Sequence, residues 1–368
     1  MKGSARFGVE EEFLLLEAQS GLPVPAPIGL LNICRQQLGS AFTRELFACQ
    51  VEISSPVFCS LDEAATYLQK ARRSLYEIAS RFNLTVYAAG SHPLALSSGQ
   101  PITPINHYRQ LIKTHGHLAA RSLLNGLHVH VGVDPHQDRM HLIHRILPWT
   151  PLLLALSASS PFWEGQPSGV ASYRRAASGE WPRMGMPEDL PDQATYDDYV
   201  RRLLDAEMIE TPHDIWWFIR PSSQYPTLEL RIADGCPRLQ DALCIAGLFR
   251  ALVAWAQGST DCLANRWLRA DTAENYWQAQ RLGCGGRFRV NESVLDVQQW
   301  LELLITTTER YLDQDTVLRA KNIVRNGCSA RRQLEVWQAA LARGESHEQA
   351  LRAVTKQVVE DTAIPFAS

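Results

Sequence analysis

The chain has 368 residues, of which 45% are hydrophobic and 20% charged, and its formal net charge is −3 at pH 7. This composition is that of an ordinary globular protein, long enough for one large domain or two smaller ones. Because it has no basic excess, we expect neither a nucleic acid nor a membrane surface as its partner.

The cysteines predict a reducing environment. They are scattered, form no CxxC motif and follow no recognisable signal peptide, so we expect free thiols in a cytoplasmic protein. The most apolar stretch that stands out, residues 146–156, is much shorter than the roughly 20 residues a spanning helix needs. The eight positions are Cys34, Cys49, Cys59, Cys236, Cys244, Cys262, Cys284 and Cys328.

Strand patterns lie in the first two-thirds of the chain, and the last third is nearly all helical. The strands are predicted at 6–16, 47–53, 84–89, 127–133 and 226–233. The helices are predicted at 60–82, which begins with a capping box at Ser60 and Glu63, and at 195–208, 238–256, 292–311, 329–342 and 346–360. This distribution favours an α+β fold over a regular βαβ repeat, in one domain spanning residues 1–368.

The first strand, "FGVEEEFLLLE", places three consecutive glutamates in an apolar run. Alternate residues of a strand point to the same face, so Glu10 and Glu12 share a face and Glu11 points to the other. A solvated strand face is the simplest explanation of such a run, because charged runs usually face water.

Two later strands repeat the geometry. In "GLHVHVGV", His128 and His130 share a face, opposite an apolar set. In "YPTLELRIAD", Glu229 and Arg231 share a face, although a cross-strand ion pair on an exposed sheet face would explain them too.

A fourth strand adds Glu52, with Glu45 just before it. A spacing of seven places these two on opposite faces of a regular strand, so both can serve one site only if a turn or bulge lies between them. Together the four strands predict a polar sheet face. Clustered carboxylates repel one another unless cations neutralise them, and carboxylate oxygens are preferred ligands of Mg²⁺ and Mn²⁺.

The motifs "GVEEEF", "QVEISSP", "GLHVHVGV", "SSPFWEG", "IRPSSQYPTLELRIAD" and "GCSARRQ" resemble, in order over residues 6–335, the ATP-dependent carboxylate-amine ligases of the glutamate–cysteine ligase type-two family. The resemblance implies a glutamine synthetase-like fold: a curved antiparallel sheet, forming an open half-barrel, with helices on its outer side. It also implies formation of an amide between the γ-carboxylate of glutamate and an amine, with cysteine as the default amine.

The resemblance also assigns residues to roles. It implies one cation held by Glu10, His128 and Glu229 and another held by Glu12, Glu45 and Glu52. It implies that His130 and Arg231 contact ATP phosphates, with Arg220 as a further phosphate or acyl-phosphate contact and Glu229 central to catalysis. From the residues themselves, Arg174 in "SYR" is the expected partner of a substrate carboxylate, with Tyr173 beside it. His92 in "SHP" is a further candidate substrate contact, although a turn histidine before proline is commonly structural.

Further expectations concern the loops and the assembly. The segment 165–191, rich in glycine and proline, is predicted to close over the site. Family members often have an acidic residue where this chain has Arg331 and a tyrosine where it has Val170, which leaves the substrates open. The resemblance suggests a homodimer or a larger homo-oligomer.

Two other classes of protein remain as alternatives. His-x-His at a strand end also occurs in metal-dependent amidohydrolase barrels, which need a repeated βα pattern and further histidines. A non-catalytic metabolite-binding protein on the same scaffold is the other alternative, although every proposed ligand position has a competent side chain.

Overall fold

The computed structural model describes residues 5–258 and 269–363. Its strands are β1 Phe7–Glu17, β2 Phe42–Arg44, β3 Gln50–Ser54, β4 Leu84–Tyr87, β5 Leu127–Gly132, β6 Phe162–Trp163, β7 Gln166–Pro167, β8 Met184–Gly185, β9 Trp216–Trp217, β10 Ile219–Pro221, β11 Thr227–Leu230, β12 Arg287–Val290 and β13 Ser293–Asp296.

Helices occupy much of the remaining chain. They are α1 Ile28–Leu38, α2 Leu61–Ser80, α3 Asn106–His115, α4 His117–Ala120, α5 Arg139–Ile146, α6 Thr150–Ser157, α7 Tyr173–Ser178, α8 Gln193–Asp205, α9 Leu239–Gly258, α10 Arg269–Leu282, α11 Val297–Thr308, α12 Gln314–Asn326, α13 Ser329–Ala342 and α14 His347–Ala363.

One open antiparallel sheet organises the molecule. Its strand order is β10-β11-β5-β1-β3-β2, and β4 also pairs with β1. The long strand β1 lies at the centre, since it pairs with β5 over residues 7–11, with β3 over residues 10–14 and with β4 over residues 14–17. The α+β prediction is therefore confirmed, and the parallel βα repeat of an amidohydrolase barrel is not the arrangement of this sheet.

The apolar side of the sheet packs against helices. Val9, Val129, Val131 and Leu228 are buried in one cluster with residues of α6 and α9. Within the described residues, α9 is the one helix long and apolar enough to cross a membrane, and 83% of its apolar window is buried inside the protein.

Glu11 points to this packed side of the sheet, as the alternation predicts. It is 4% exposed and forms two hydrogen bonds with Arg72 of α2, from Nε at 3.1 Å and from Nη2 at 2.5 Å. Arg72 also donates to the carbonyls of Cys236 and Pro237. The buried pair of Glu11 and Arg72 therefore joins three parts of the chain. Glu11 lies in β1, Arg72 lies in α2, and Arg72 also donates to the chain after β11.

Where a predicted element is present in the structure, it differs mainly at its ends, but several helices were not predicted. The pattern assigned to a helix at 292–311 divides into strand β13 and helix α11, because Asp296 caps the helix and forms a capping box with Gln299. Helices α1, α3, α4, α5, α6, α7, α10 and α12 were not predicted. The pattern of α6 is apolar all round rather than periodic, and it is entirely buried.

The seven cysteines within the described residues form no disulfide bond, as predicted. Cys262 lies outside the described residues. Cys59 is exposed and Cys284 is intermediate in exposure, and the other five are buried.

Candidate active site

The face of the sheet opposite the apolar core collects polar side chains from five strands, β1, β3, β5, β10 and β11. In an antiparallel sheet, directly paired residues point to the same side, so the strand register decides which side chains meet. The register pairs are Glu10 with His128, Glu12 with Glu52, Glu229 with His130, and Arg220 with Glu229. The predicted polar face therefore exists, and it brings together residues as far apart in the chain as Glu10 and Glu229, which are 219 positions apart.

Glu45 reaches this face because the chain turns between β2 and β3. Residues 45–49 form the turn, in which the N–H of Gln50 donates to the carbonyl of Phe47 at 2.8 Å and the N–H of Glu45 donates to the carbonyl of Gln50 at 3.2 Å. The turn that the spacing of Glu45 and Glu52 requires, if both are to serve one site, is therefore present.

Burial and mutual repulsion raise the pKa values of two carboxyl groups here. The pKa of Glu52 is raised to about 8, first by burial and then by the negative charges of Glu10 and Glu12, although hydroxyls of Ser54 and Thr43 donate to it. The pKa of Glu45 is raised well above its usual range, first by burial and then by Glu52, Glu12 and Glu10. Ionisation of all these carboxyl groups together requires a neutralising positive charge, which a bound cation would supply.

The two histidines face Glu10. Burial alone would raise the pKa of Glu10, but hydrogen bonds with His128 and then His130 outweigh it, and its pKa is lowered. Nδ1 of His128 lies 3.3 Å from a carboxylate oxygen of Glu10, whereas its Nε2 is buried and has no hydrogen-bond partner. An unpartnered, buried imidazole nitrogen beside carboxylates is a suitable metal ligand.

Two groups of donors fit a metal ion among the described residues. In each group the ligand atoms all lie within 4.8 Å of one another. One group is Glu10, Glu52 and His128; the other is Glu10, His130 and Glu229. The predicted ligand sets were Glu10, His128 and Glu229, and Glu12, Glu45 and Glu52. In the structure Glu10 belongs to both groups, His130 lies beside Glu229 in the place predicted for His128, and Glu12 and Glu45 belong to neither group. The assignment of metal ligands stays a prediction.

Glu229 lies between two arginines. Arg220 donates to it from Nε at 2.7 Å and from Nη2 at 3.2 Å, and Arg231 also forms an ion pair with it. Burial raises the pKa of Glu229, but the charges of Arg231 and Arg220 outweigh this and lower it. Nη1 of Arg220 donates to the carbonyls of His213 and Ile215, so this guanidinium is fully engaged in holding Glu229 and the chain before β10.

A cavity of about 450 Å³ opens beside the polar face. Glu12, Glu45, His128 and Arg231 form part of its wall. Segment 165–191, which is predicted to close over the site, forms another part of the wall. Its lining residues are Arg174, Arg175, Ser178, Trp181 and Met184. The segment thus lies at the site, as its prediction requires.

Arg174 is held in place by the chain around it. Its guanidinium donates to the carbonyls of Arg231 and Ile232 at 3.4 Å and lies 3.9 Å from the carboxylate of Asp234. A Cβ on Gly126 would lie 2.4 Å from Nη2 of Arg174, so only glycine allows this approach.

Asp234, which the sequence analysis missed, is fully buried. It accepts hydrogen bonds from Ser159 N–H at 3.0 Å, from Ser160 Oγ at 2.7 Å and from Ser172 Oγ at 2.8 Å. It therefore fastens the segment that carries Arg174. The available signal was its position in "RIAD", directly after the strand that carries Glu229 and Arg231.

Two predicted substrate contacts lie away from the cavity wall. His92 is buried, and both ring nitrogens are used by backbone groups: Nε2 donates to the carbonyl of Gly21 at 2.9 Å, and Nδ1 accepts from the N–H of Ala95 at 3.0 Å. Tyr173 stacks on Trp163 with ring centroids 4.9 Å apart. Neither is among the residues that line the cavity, and the same is true of Val170 and Arg331.

The fold and the site define a class of protein. The fold is similar to that of the glutamate–cysteine ligase from Francisella tularensis, whose structure was solved in complex with AMP, with a TM-score of 0.70 and 11% identity over 98% of this chain and 89% of that one. It is also similar to a bifunctional glutathione synthetase from Pasteurella multocida, with a TM-score of 0.68 and 14% identity over 98% of this chain and 53% of that one. These are ligases with a glutamine synthetase-like fold.

The sequence shows the family. The profile of glutamate–cysteine ligase family 2 matches residues 6–357. A Pseudomonas paraeruginosa protein named "Putative glutamate--cysteine ligase 2" is 45% identical over 361 residues, covering 97% of this chain and 95% of its own length. A protein of the same name from Pseudomonas putida is 45% identical over 359 residues, covering 95% and 96%. The chain belongs to glutamate–cysteine ligase family 2 and is an ATP-dependent ligase that forms C–N bonds, so the predicted family resemblance is confirmed.

Proposed function

We propose that this enzyme joins a carboxylate, the γ-carboxylate of glutamate in the first instance, to an amine through an acyl-phosphate intermediate. The observation that supports it best is the sheet face on which Glu10, Glu52, His128, His130 and Glu229 converge beside a cavity. Membership in the family and the similarity to a ligase solved with AMP support the use of ATP.

The donor groups around Glu10 are suited to Mg²⁺ or Mn²⁺. The carboxylates are hard oxygen ligands, and Nε2 of His128, which has no hydrogen-bond partner, offers a nitrogen. Beyond burial, Glu12 raises the pKa of Glu52, and Glu52 and Glu12 raise the pKa of Glu45, so these carboxyl groups belong to one cluster. When bound, such cations supply neutralising positive charge for the oxygens of a nucleotide triphosphate.

The chain's own residues position and stabilise the reacting groups. Arg231 contacts the transferring phosphoryl group in this proposal, and His130 is a second phosphate contact. A carboxylate oxygen attacks the γ-phosphorus and ADP leaves. The neutral amine then attacks the acyl carbon, phosphate leaves with the electron pair of the broken C–O bond, and the nitrogen releases a proton to solvent. Arg220 acts mainly by holding Glu229, since each of its nitrogens already donates within the protein.

Segment 165–191 excludes water from the acyl phosphate in this proposal. Its residues Arg175, Trp181 and Met184 line the cavity, so a small movement of the segment would change access to the site. Arg174 contributes positive charge to the same wall.

The remaining features of the proposal concern the whole protein. Residues 1–368 form a single catalytic domain, which assembles as a homodimer in the cytoplasm and acts on small-molecule substrates. Size-exclusion chromatography with light scattering measures the assembly, and a monomer at micromolar concentration would contradict the dimer.

The activity is tested by measuring phosphate release from ATP with Mg²⁺, glutamate and a panel of amines. We expect release that requires both organic substrates. Release of an amine from an amide without nucleotide would favour the hydrolase, and specific metabolite binding without turnover by any amine would favour the non-catalytic protein.

Replacing Glu229 tests the site itself. Glu229→Gln removes the charge that pairs with Arg220 and Arg231, and we expect turnover to fall by at least about a thousandfold, as for loss of a group central to transition-state stabilisation. Circular dichroism reports whether the fold is intact. The exposed Glu309→Gln is the matched control and should keep normal turnover; near-normal turnover of Glu229→Gln would refute the assigned role.

A further inference from the structure

Arg175, next to Arg174 in α7, has unused hydrogen-bonding capacity inside the protein. The residue is 2% exposed, and its Nε and Nη2 atoms are buried without a hydrogen-bond partner. No carboxylate within residues 5–258 and 269–363 forms an ion pair with it. Its Cζ lies 4.9 Å from the centroid of the Phe218 ring, which supports one face of the guanidinium.

Such an arrangement costs free energy unless an anion completes it. Buried guanidinium groups are normally paired, because removing their N–H groups from water without a partner is unfavourable. Arg72 and Arg220 show the usual solution in this protein, since each is buried against a glutamate and backbone carbonyls. The Nε–Nη2 edge of Arg175 has neither a glutamate nor a backbone carbonyl as a hydrogen-bond partner.

The free edge has the shape that a carboxylate requires. Nε and Nη2 donate in parallel, and a carboxylate accepts both bonds in a bidentate pair. Arg175 lines the cavity together with Arg174 and Arg231, whereas Glu12 and Glu45 lie on another part of the wall. A negatively charged group in the cavity is therefore drawn to the arginine side and repelled from the glutamates.

We propose that Arg175 binds the non-reacting carboxylate of an amino-acid substrate and so selects amino acids over analogues that lack this group. The inference rests on the proposed function, in which the cavity receives the organic substrates. Two sources share this chemistry: the α-carboxylate of the acid substrate and the carboxylate of an amino-acid amine.

Two matched pairs of probes distinguish the sources. Glutamate and 4-aminobutyrate differ by the α-carboxylate of the acid, and cysteine and cysteamine differ by the carboxylate of the amine. Calorimetry gives the Kd of each probe for the full-length protein with Mg²⁺ and a non-hydrolysable ATP analogue. Phosphate release from ATP is measured in parallel.

We expect Arg175→Gln to weaken binding of the carboxylate-bearing member of one pair by about tenfold or more, the effect of losing a charge-assisted bidentate contact. Binding of its partner without the carboxylate should stay within about twofold. Arg175→Lys keeps the charge and loses the bidentate edge, so it should show the same selective loss and serves if the glutamine variant does not fold. The exposed Arg73→Gln is the control.

The outcomes separate the inference from the proposed function. No preference of the wild type within either pair, or an unchanged preference in both Arg175 variants, would overturn the role of Arg175. Absence of phosphate release with every substrate combination would overturn the proposed ligase, and the Kd values would still decide what Arg175 binds.

Discussion

At the scale of single residues, three adjacent glutamates have different fates because consecutive side chains of a strand point to opposite faces. Glu11 is buried on the packed face, paired with Arg72. Glu10 and Glu12 face the polar side, where Glu10 meets two histidines and the carboxylate of Glu12 accepts from the N–H of Gly126. The run therefore combines one structural ion pair with two candidate site residues.

His92 is a buried polar residue whose ring hydrogen-bonds to backbone groups of the protein interior. Its hydrogen bonds require the neutral ring with the proton on Nε2, because Nδ1 accepts from backbone N–H groups. Burial lowers its pKa from 6.5 to about 4. The unfolded chain therefore binds a proton on His92 at a pH where the folded protein does not.

Stability should consequently depend on pH through His92. As pH falls from about 6.5 to about 4, protonation of the unfolded state lowers the free energy of unfolding by up to roughly 3 kcal/mol. We expect this contribution to be missing in His92→Gln. Urea denaturation of both proteins between pH 7.5 and 4.5 gives the difference, and parallel pH profiles would contradict the prediction.

At the scale of elements, the site depends on how strands pair and how helices support them from behind. The core helix α9 approaches α12 closely at Gly247, where a Cβ would lie 2.3 Å from Oγ1 of Thr316 and 3.0 Å from Leu61. Thr316 cannot yield easily, because its N–H and hydroxyl both donate to Asp313 at the start of α12. The small residue therefore fixes the spacing of the two helices.

Replacing this glycine tests the close approach. Alanine favours the helix by about 1 kcal/mol, but overpacking costs typically 1–3 kcal/mol. We expect Gly247→Ala to lower the free energy of unfolding by on the order of 1 kcal/mol, measured by chemical denaturation. Gly285→Ala, where nothing lies within 4 Å of an added Cβ, should change it by less than about 0.5 kcal/mol. A stabilised Gly247→Ala would show that the helices move apart freely.

At the scale of the whole molecule, the candidate metal donors come from β1, β3, β5 and β11. A cation bound in either group contacts three chain segments that are adjacent only in the folded sheet. It therefore binds the folded state and not the unfolded one, which links metal affinity to global stability.

Divalent cations should therefore raise the temperature of unfolding. At a Mn²⁺ concentration one hundred times its Kd, the gain in stability is about 2.7 kcal/mol, which corresponds to several degrees for a protein of this size. We expect Glu52→Gln to lose most of this gain and the exposed Glu309→Gln to keep it. Thermal unfolding with Mn²⁺ and with a chelator provides the measurement; equal shifts in all three proteins would place the ion elsewhere.

The sequence by itself determined which side chains share a face within each strand. Alternation is a property of the local backbone, so the common orientation of Glu10 with Glu12 and of His128 with His130 could be read directly. The motifs in their order also determined the family and hence the fold class. Helices without clear amphipathic periodicity, such as α6, could not be read in this way.

Only the tertiary structure decided which faces meet and at what register. The pairing of Glu10 with His128 and of Glu12 with Glu52 follows from contacts between strands far apart in the chain. Burial of Arg175 and His92 likewise depends on elements that pack from elsewhere. A local pattern contains no information about these long-range neighbours, which is why the residue types of the site were predictable and their grouping was not.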